Sequence, residues 1–298
     1  MKTCTACKSL LVKASFNIDI ASSSTKIDGE LHLPFDRKTD CTALTNYSPD
    51  VIILAGNGAI EVKDGLNCWD ILKNTMNTIG ITGPDGYKEP EEGLTWLAAN
   101  IDFMSRTVNF NESDDPLLQL KNQIVGALQK YETEPRPMYC TCCNKHFKIQ
   151  DAASILILTT NWDLGLFLNF KNVIQLHGRC DYPKQSILPL QNLSRLMAKE
   201  SSDFKALNAG FIPGPFLQRC LNKTKKLIFW GTGLNDYDAA LWHFLRGFAS
   251  EKRSRTNDLE IGIASKDHEG FINVSKRVGK YFPRIPINNC ICKMVPHL

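Results

Sequence analysis

The chain has 298 residues, 43% of them hydrophobic and 22% charged, with 19 glycines and 14 prolines. That length can bury a substantial core as one large domain or two modest ones, and the composition excludes disordered, collagen-like and disulfide-stapled miniature classes. The formal net charge is +4, and the 35 basic residues are scattered among 31 acidic ones, which leaves no dense basic footprint for nucleic acid.

The short basic clusters Lys223/Lys225/Lys226 and Lys252/Arg253/Arg255 read as solvated faces. Near the N-terminus the apolar run Leu10 to Val12 is too short for an export signal. No segment reaches the roughly 18 apolar residues of a membrane span. The expected setting is therefore cytoplasmic and reducing, with the 11 cysteines acting as thiols or metal ligands rather than as a disulfide framework.

In chain order, Ser15 to Ile20 and Glu30 to Phe35 alternate apolar and polar residues around Asp28-Gly29. This predicts a β-hairpin turning at Asp28-Gly29, within an N-terminal extension over 1–50. Val51-Ile52-Ile53-Leu54 follows, a short all-apolar run leading at once into Gly56-Asn57-Gly58-Ala59. It reads as a buried parallel strand opening into a glycine turn. Residues 66–79 have helical spacing, 83–93 read as an exposed loop, and 94–131 look mostly helical with a break at 111–116.

Two prolines, Pro135 and Pro137, introduce Tyr139-Cys-Thr-Cys-Cys-Asn-Lys-His-Phe147. A helical and metal-knuckle insertion is predicted over about 80–150. Strand-like runs return at 155–158, 173–176, 227–230 and 261–264, with helix-like segments at about 190–199, 214–221, 237–250 and 268–281. This order predicts an α/β fold: a doubly wound, mostly parallel Rossmann-like sheet with helices on both faces, filling 51–298.

In such sheets ligands bind beyond the carboxyl ends of the strands. Four of these ends are polar: Gly56-Asn57-Gly58, Thr159-Thr160-Asn161-Trp162-Asp163, His177-Gly178, and Gly231-Thr232-Gly233-Leu234-Asn235-Asp236. Each has a bland reading. A lone glycine turn often only starts a helix, Asn and Asp are good helix caps, and a single histidine is more often structural. Their joint occurrence in one order carries the functional reading.

That order resembles the sirtuin-like (silent information regulator) family, over about residues 50–282, with Leu176-His177-Gly178 after Thr160-Asn161-Trp162-Asp163 as its most specific part. Trp69-Asp70 is similar to the divergent bacterial branch. The resemblance implies NAD binding, with Gly56, Asn57 and Gly58 admitting the pyrophosphate and Ala59 lining the pocket beside it. It implies that Asn161 and Asp163 hold the nicotinamide ribose and the nearby water, that His177 is the general base, and that Gly231, Thr232, Asn235, Asp236 and Ser265 bound the adenosine side. The family's usual Gly-Ala-Gly-Ala-Ser here has Asn57 for the first alanine and Ile60 for the serine. The Phe-Gly-Glu segment by which its deacylases pair with an acyl-lysine peptide is absent between 178 and 225.

The leading expectation is thus an NAD glycohydrolase releasing nicotinamide and ADP-ribose, which in the bacterial branch implies antiviral defence, a homo-oligomer and a separate effector or ATPase partner. The alternatives are a deacylase or ADP-ribosyltransferase, and a non-catalytic NAD or ADP-ribose sensor. For metal, Cys140 and Cys143 form a C-x-x-C half-site with His146 three residues on. A structural zinc needs four ligands, and the second half is open among Cys4/Cys7, Cys180, Cys220 and Cys290/Cys292. Cys41, Cys68 and Cys180 also read as core residues.

Overall fold

The computed structural model describes residues 10–20, 23–33, 36–37, 49–63, 74, 122–123, 126–150, 152, 154–170, 172–175, 223–234, 245, 249 and 259–295. The helix expected at 66–79 lies outside them except for Asn74, and the loop at 83–93 and the helices at 190–199 and 214–221 lie wholly outside. Of the helix expected at 237–250, Leu245 and Ala249 are described and are helical.

Apolar runs without alternation demand burial on both faces, and they make the centre of the sheet. These strands are β4 (Val51–Ala55), β9 (Ile155–Thr159), β10 (Val173–Gln175), β11 (Lys226–Trp230) and β12 (Glu260–Ala264). Every residue of β4 and β9 is buried. The strands pair in parallel in the order β12-β11-β4-β9-β10, with β13 (Ile287–Asn288) added in parallel beyond β12.

The chain therefore starts at β4 in the centre, walks outward through β9 to β10, returns to β11 on the other side of β4, and walks outward again through β12 to β13. The walk reverses direction between β4 and β11. Register aligns Gln175, Thr159, Ala55, Trp230 and Ala264 across five strands. The carboxyl ends thus form one straight row.

The N-terminal hairpin exists but turns elsewhere. β1 (Leu10–Ile20) and β2 (Ser23–Leu33) pair antiparallel from Leu10↔Leu33 to Ile20↔Ser23, so the link between them is 21–22. Asp28 and Gly29 instead lie within β2, opposite Ser15 and Ala14. A ladder of 11 residue pairs outweighs the local turn preference of an Asp-Gly dipeptide. The short β3 (Asp36–Arg37) follows on β2, and β1 joins the sheet antiparallel to β10 through Asn17↔Val173.

Two further pairs flank the sheet. β5 (Ile60–Val62) pairs with β6 (Thr133–Pro135), and β7 (Met138–Cys140) with β8 (Lys145–Phe147). Met138 and Cys140 are fully buried and share one hydrophobic cluster with Val51, Ile53 and Ile157 of the sheet. Two α-helices have described boundaries: α1 (Gly165–Asn169) and α2 (His268–Tyr281). α2 starts where Asp267 accepts a 2.7 Å hydrogen bond from the Gly270 N–H, and it turns Val274 and Val278 into the core. Among the described residues no helix is long and apolar enough to cross a membrane.

Candidate functional site

Just beyond the row of strand ends, two glycine loops lie backbone against backbone. The Gly56 N–H donates to the Trp230 carbonyl at 3.0 Å, the Gly58 N–H to the Gly231 carbonyl at 2.8 Å, and the Gly231 N–H to the Ala264 carbonyl at 3.1 Å. A Cβ at Gly56 would come within 2.7 Å of the Thr232 Cα, and one at Gly58 within 2.8 Å of the Gly231 oxygen. Gly231 has φ +57°, and its own Cβ would collide with the Gly58 carbonyl carbon and the Ala59 nitrogen. Glycine is required here so that two loops can touch.

The first loop does not open directly into a helix. Asn57–Ala59 is a single 3-10 turn, closed by a 2.9 Å bond from the Ala59 N–H to the Gly56 carbonyl, and it continues into β5. The N–H groups of Gly56, Gly58 and Ala59 are thereby engaged within the protein. The two loops are thus interlocked through their backbones. The second loop is held open by Leu234, a buried residue at φ +50°, whose N–H reaches the Thr232 hydroxyl at 3.4 Å. From α2, Arg277 donates to the Gly233 carbonyl.

Asn161 connects the end of β9 to the first loop. Its backbone N–H donates to the Thr159 hydroxyl at 3.1 Å, and its side-chain Nδ2 donates to the Gly56 carbonyl at 3.2 Å. Because Gly56 offers an acceptor, the amide orientation is determined, and Oδ1 points away. Asn161 is 4% exposed, and among the described residues Oδ1 has no hydrogen-bond partner. A buried unpaired acceptor costs on the order of 1–3 kcal/mol.

Behind it, Gln175 at the end of β10 donates from Nε2 to the Asn161 carbonyl at 2.9 Å and to the Asp163 carbonyl at 2.6 Å. Its Oε1 is a second buried acceptor without a partner among the described residues. Asp163 is also buried, and its Oδ1 accepts the Gly165 N–H at 2.8 Å, which starts α1. Ser265 stands at the end of β12, with its Oγ close over Gly270 of α2.

The structure thus brings together Gly56, Asn57, Gly58, Ala59, Asn161, Asp163, Gly231 and Thr232 at one end of the sheet, with Ser265 one strand further along. His177, Asn235 and Asp236 lie outside the described residues. Gln175 was not anticipated from sequence. Its signal was legible as the one polar residue inside the apolar run Val173-Ile174-Gln175-Leu176.

A second cluster sits at the other flank. The Sγ atoms of Cys140, Cys143, Cys290 and Cys292 all lie within 4.8 Å of one another. Cys140 ends β7, Cys143 lies in the β7–β8 turn, and Cys290 and Cys292 flank the first residue of a 3-10 turn, Ile291–Lys293. Asn144, directly after Cys143, has φ +52° and lets the chain reverse into β8. The Cys140 Sγ reaches the Asn289 carbonyl at 3.7 Å, and Cys143 and Cys292 are 2.9 Å apart, well beyond a disulfide bond.

Burial opposes the Cys140 thiolate, yet hydrogen bonds from the N–H and thiol of Cys143, from the Cys292 thiol and from the Cys142 N–H bring its pKa down to about 6. Burial, with its contacts to Cys143 and Cys140, pushes the Cys292 thiol far up. Four thiolates at about 2.3 Å from a tetrahedral zinc stand roughly 3.8 Å from one another, so this donor set fits a metal ion. Of the second halves open from sequence, Cys290/Cys292 lies adjacent to Cys140/Cys143, while Cys4/Cys7, Cys180 and Cys220 lie outside the described residues. His146 is not among the four; its ring lies 4.7 Å from that of Tyr139.

Comparison with known proteins finds no matching family model and no matching curated protein.

Proposed function

We propose that this chain is an NAD glycohydrolase, built on a doubly wound Rossmann-like domain with helices on both faces, that hydrolyses NAD to nicotinamide and ADP-ribose. One observation carries the reading: the buried, unpartnered Oδ1 of Asn161, held in a single orientation by the Gly56 carbonyl. Asn161 lies just after β9 and is bonded to the loop that follows β4, one strand from the point at which the strand walk reverses between β4 and β11. In open α/β sheets that reversal is where dinucleotides bind, beyond the carboxyl ends. An acceptor left bare in such a place suits a ribose hydroxyl, which would repay its desolvation.

Cleavage of the nicotinamide–ribose bond sends the bonding pair to the departing pyridinium, which leaves as neutral nicotinamide. The ribose becomes oxocarbenium-like, and water adds to the anomeric carbon while losing a proton. Oxygen dipoles near that carbon and exclusion of bulk water stabilise such a transition state. Asn161 would orient the ribose, and Gln175 Oε1 offers a second acceptor. Asp163 would add a carboxylate near the developing charge. His177, only two residues beyond Gln175 in the chain, is the base the sirtuin-like resemblance implies, and a neutral imidazole suits that proton transfer.

A sensor without turnover is the second reading, favoured by Asp163, whose Oδ1 is already engaged by the Gly165 N–H. Incubation of the full chain with NAD, with chromatography of nicotinamide and ADP-ribose, separates the two. Release by wild type that falls at least about 100-fold in both His177→Ala and Asn161→Ala is expected. Calorimetric NAD binding with no nicotinamide would replace the hydrolase by the sensor, and absence of both would remove NAD from the account.

A further inference from the structure

We propose that Cys140, Cys143, Cys290 and Cys292 bind one structural zinc ion, which fastens the β7–β8 hairpin to the turn that closes the far edge of the sheet. The two half-sites are far apart in sequence, with Cys143 and Cys292 149 positions apart, yet their four sulfurs gather within 4.8 Å. Each half is independently seated on the core. Met138 and Cys140 are fully buried on one side. On the other, Ile291 and Met294 press on β12 so closely that a Cβ at Gly262 would run into the Met294 sulfur.

The convergence of the thiols is therefore set by packing on both sides, and four soft sulfur donors gathered within 4.8 Å select zinc over hard cations such as magnesium or calcium. Four protein ligands leave no open position, so the ion is structural rather than catalytic. The thiols bind as thiolates and release their protons to solvent. Binding across so long a loop stabilises the folded chain relative to the unfolded one.

Cys142 tests the ligand set, because it is exposed and beside Cys290 but outside the four. The full chain also carries Cys4 and Cys7, outside the described residues, so metal content must be traced to particular thiols. The experiment is elemental analysis of the reduced full chain purified from zinc-supplemented medium without chelator, for wild type, Cys143→Ser, Cys292→Ser, Cys142→Ser and the double variant Cys4→Ser/Cys7→Ser. Close to one zinc per wild-type chain is expected, retained in the Cys142 and Cys4/Cys7 variants and reduced at least about fivefold in the other two.

Should Cys143→Ser or Cys292→Ser fail to fold, cobalt titration of the reduced, metal-stripped wild type decides. Strong visible bands of a tetrahedral thiolate site, with sulfur-to-cobalt charge transfer saturating at one equivalent and lost on adding zinc, support the site. Folded wild type without metal, iron in place of zinc, loss of zinc in the Cys4/Cys7 variant but not in Cys292→Ser, or a Cys143–Cys292 disulfide in freshly reduced protein would each overturn it.

Discussion

Replacing Asn161 by alanine should cost almost nothing in stability while abolishing activity. The Nδ2 bond to the Gly56 carbonyl is lost, worth roughly 0.5–1.5 kcal/mol net. That carbonyl is not orphaned, because it also accepts the Ala59 N–H at 2.9 Å. Against this loss, truncation removes the buried Oδ1 that has no partner, a relief of roughly 1–3 kcal/mol. The net change therefore lies between about 0.5 kcal/mol of lost and about 2.5 kcal/mol of gained stability. At about 2–4 °C per kcal/mol for domains of this order of size, the Tm should lie between about 2 °C below and about 10 °C above that of wild type.

Thermal unfolding followed by circular dichroism, without NAD, measures this directly. Neutral or improved stability with lost function is the signature of a group retained for a ligand. A Tm lowered by more than about 8 °C would mean that Oδ1 is satisfied inside the fold, leaving no bare acceptor for a ribose to claim.

Two other substitutions probe the scaffold. Gly231→Ala puts a side chain at φ +57° and against the Gly58 and Ala59 backbone. A left-handed residue costs about 1–2 kcal/mol and overpacking about 1–3 kcal/mol, so a loss of roughly 2–5 kcal/mol is expected in urea unfolding, and a neutral result would contradict the interlocked loops. Asp267→Ala removes the cap on the Gly270 N–H and should cost about 1 kcal/mol. It should appear as a lower urea midpoint with unchanged slope; an unchanged midpoint would show that α2 does not depend on that cap.

The buried strands were legible in the sequence because an unbroken run such as Val51 to Leu54 or Leu227 to Trp230 has no polar face to turn to solvent. α2 was equally plain at 268–281. The C-x-x-C of Cys140 and Cys143 also announced its chemistry, since two soft ligands at that spacing reach one ion. These are features whose cause lies within a few residues of themselves.

Other features depended on partners distant in the chain. The pairing of β1 with β2 put Asp28 and Gly29 inside a strand despite their local preference for a turn. The row through Gln175, Thr159, Ala55, Trp230 and Ala264 comes from long-range register, which no local pattern encodes. Contact between the two glycine loops made Gly231 a positive-φ position. Packing on β12 brought Cys290 and Cys292 to Cys140 and Cys143 from the far end of the chain. Propensity and periodicity act over a turn of helix or a few residues of strand, whereas the choice of neighbour is made by burial and hydrogen bonding across the whole chain, and only the tertiary structure records it.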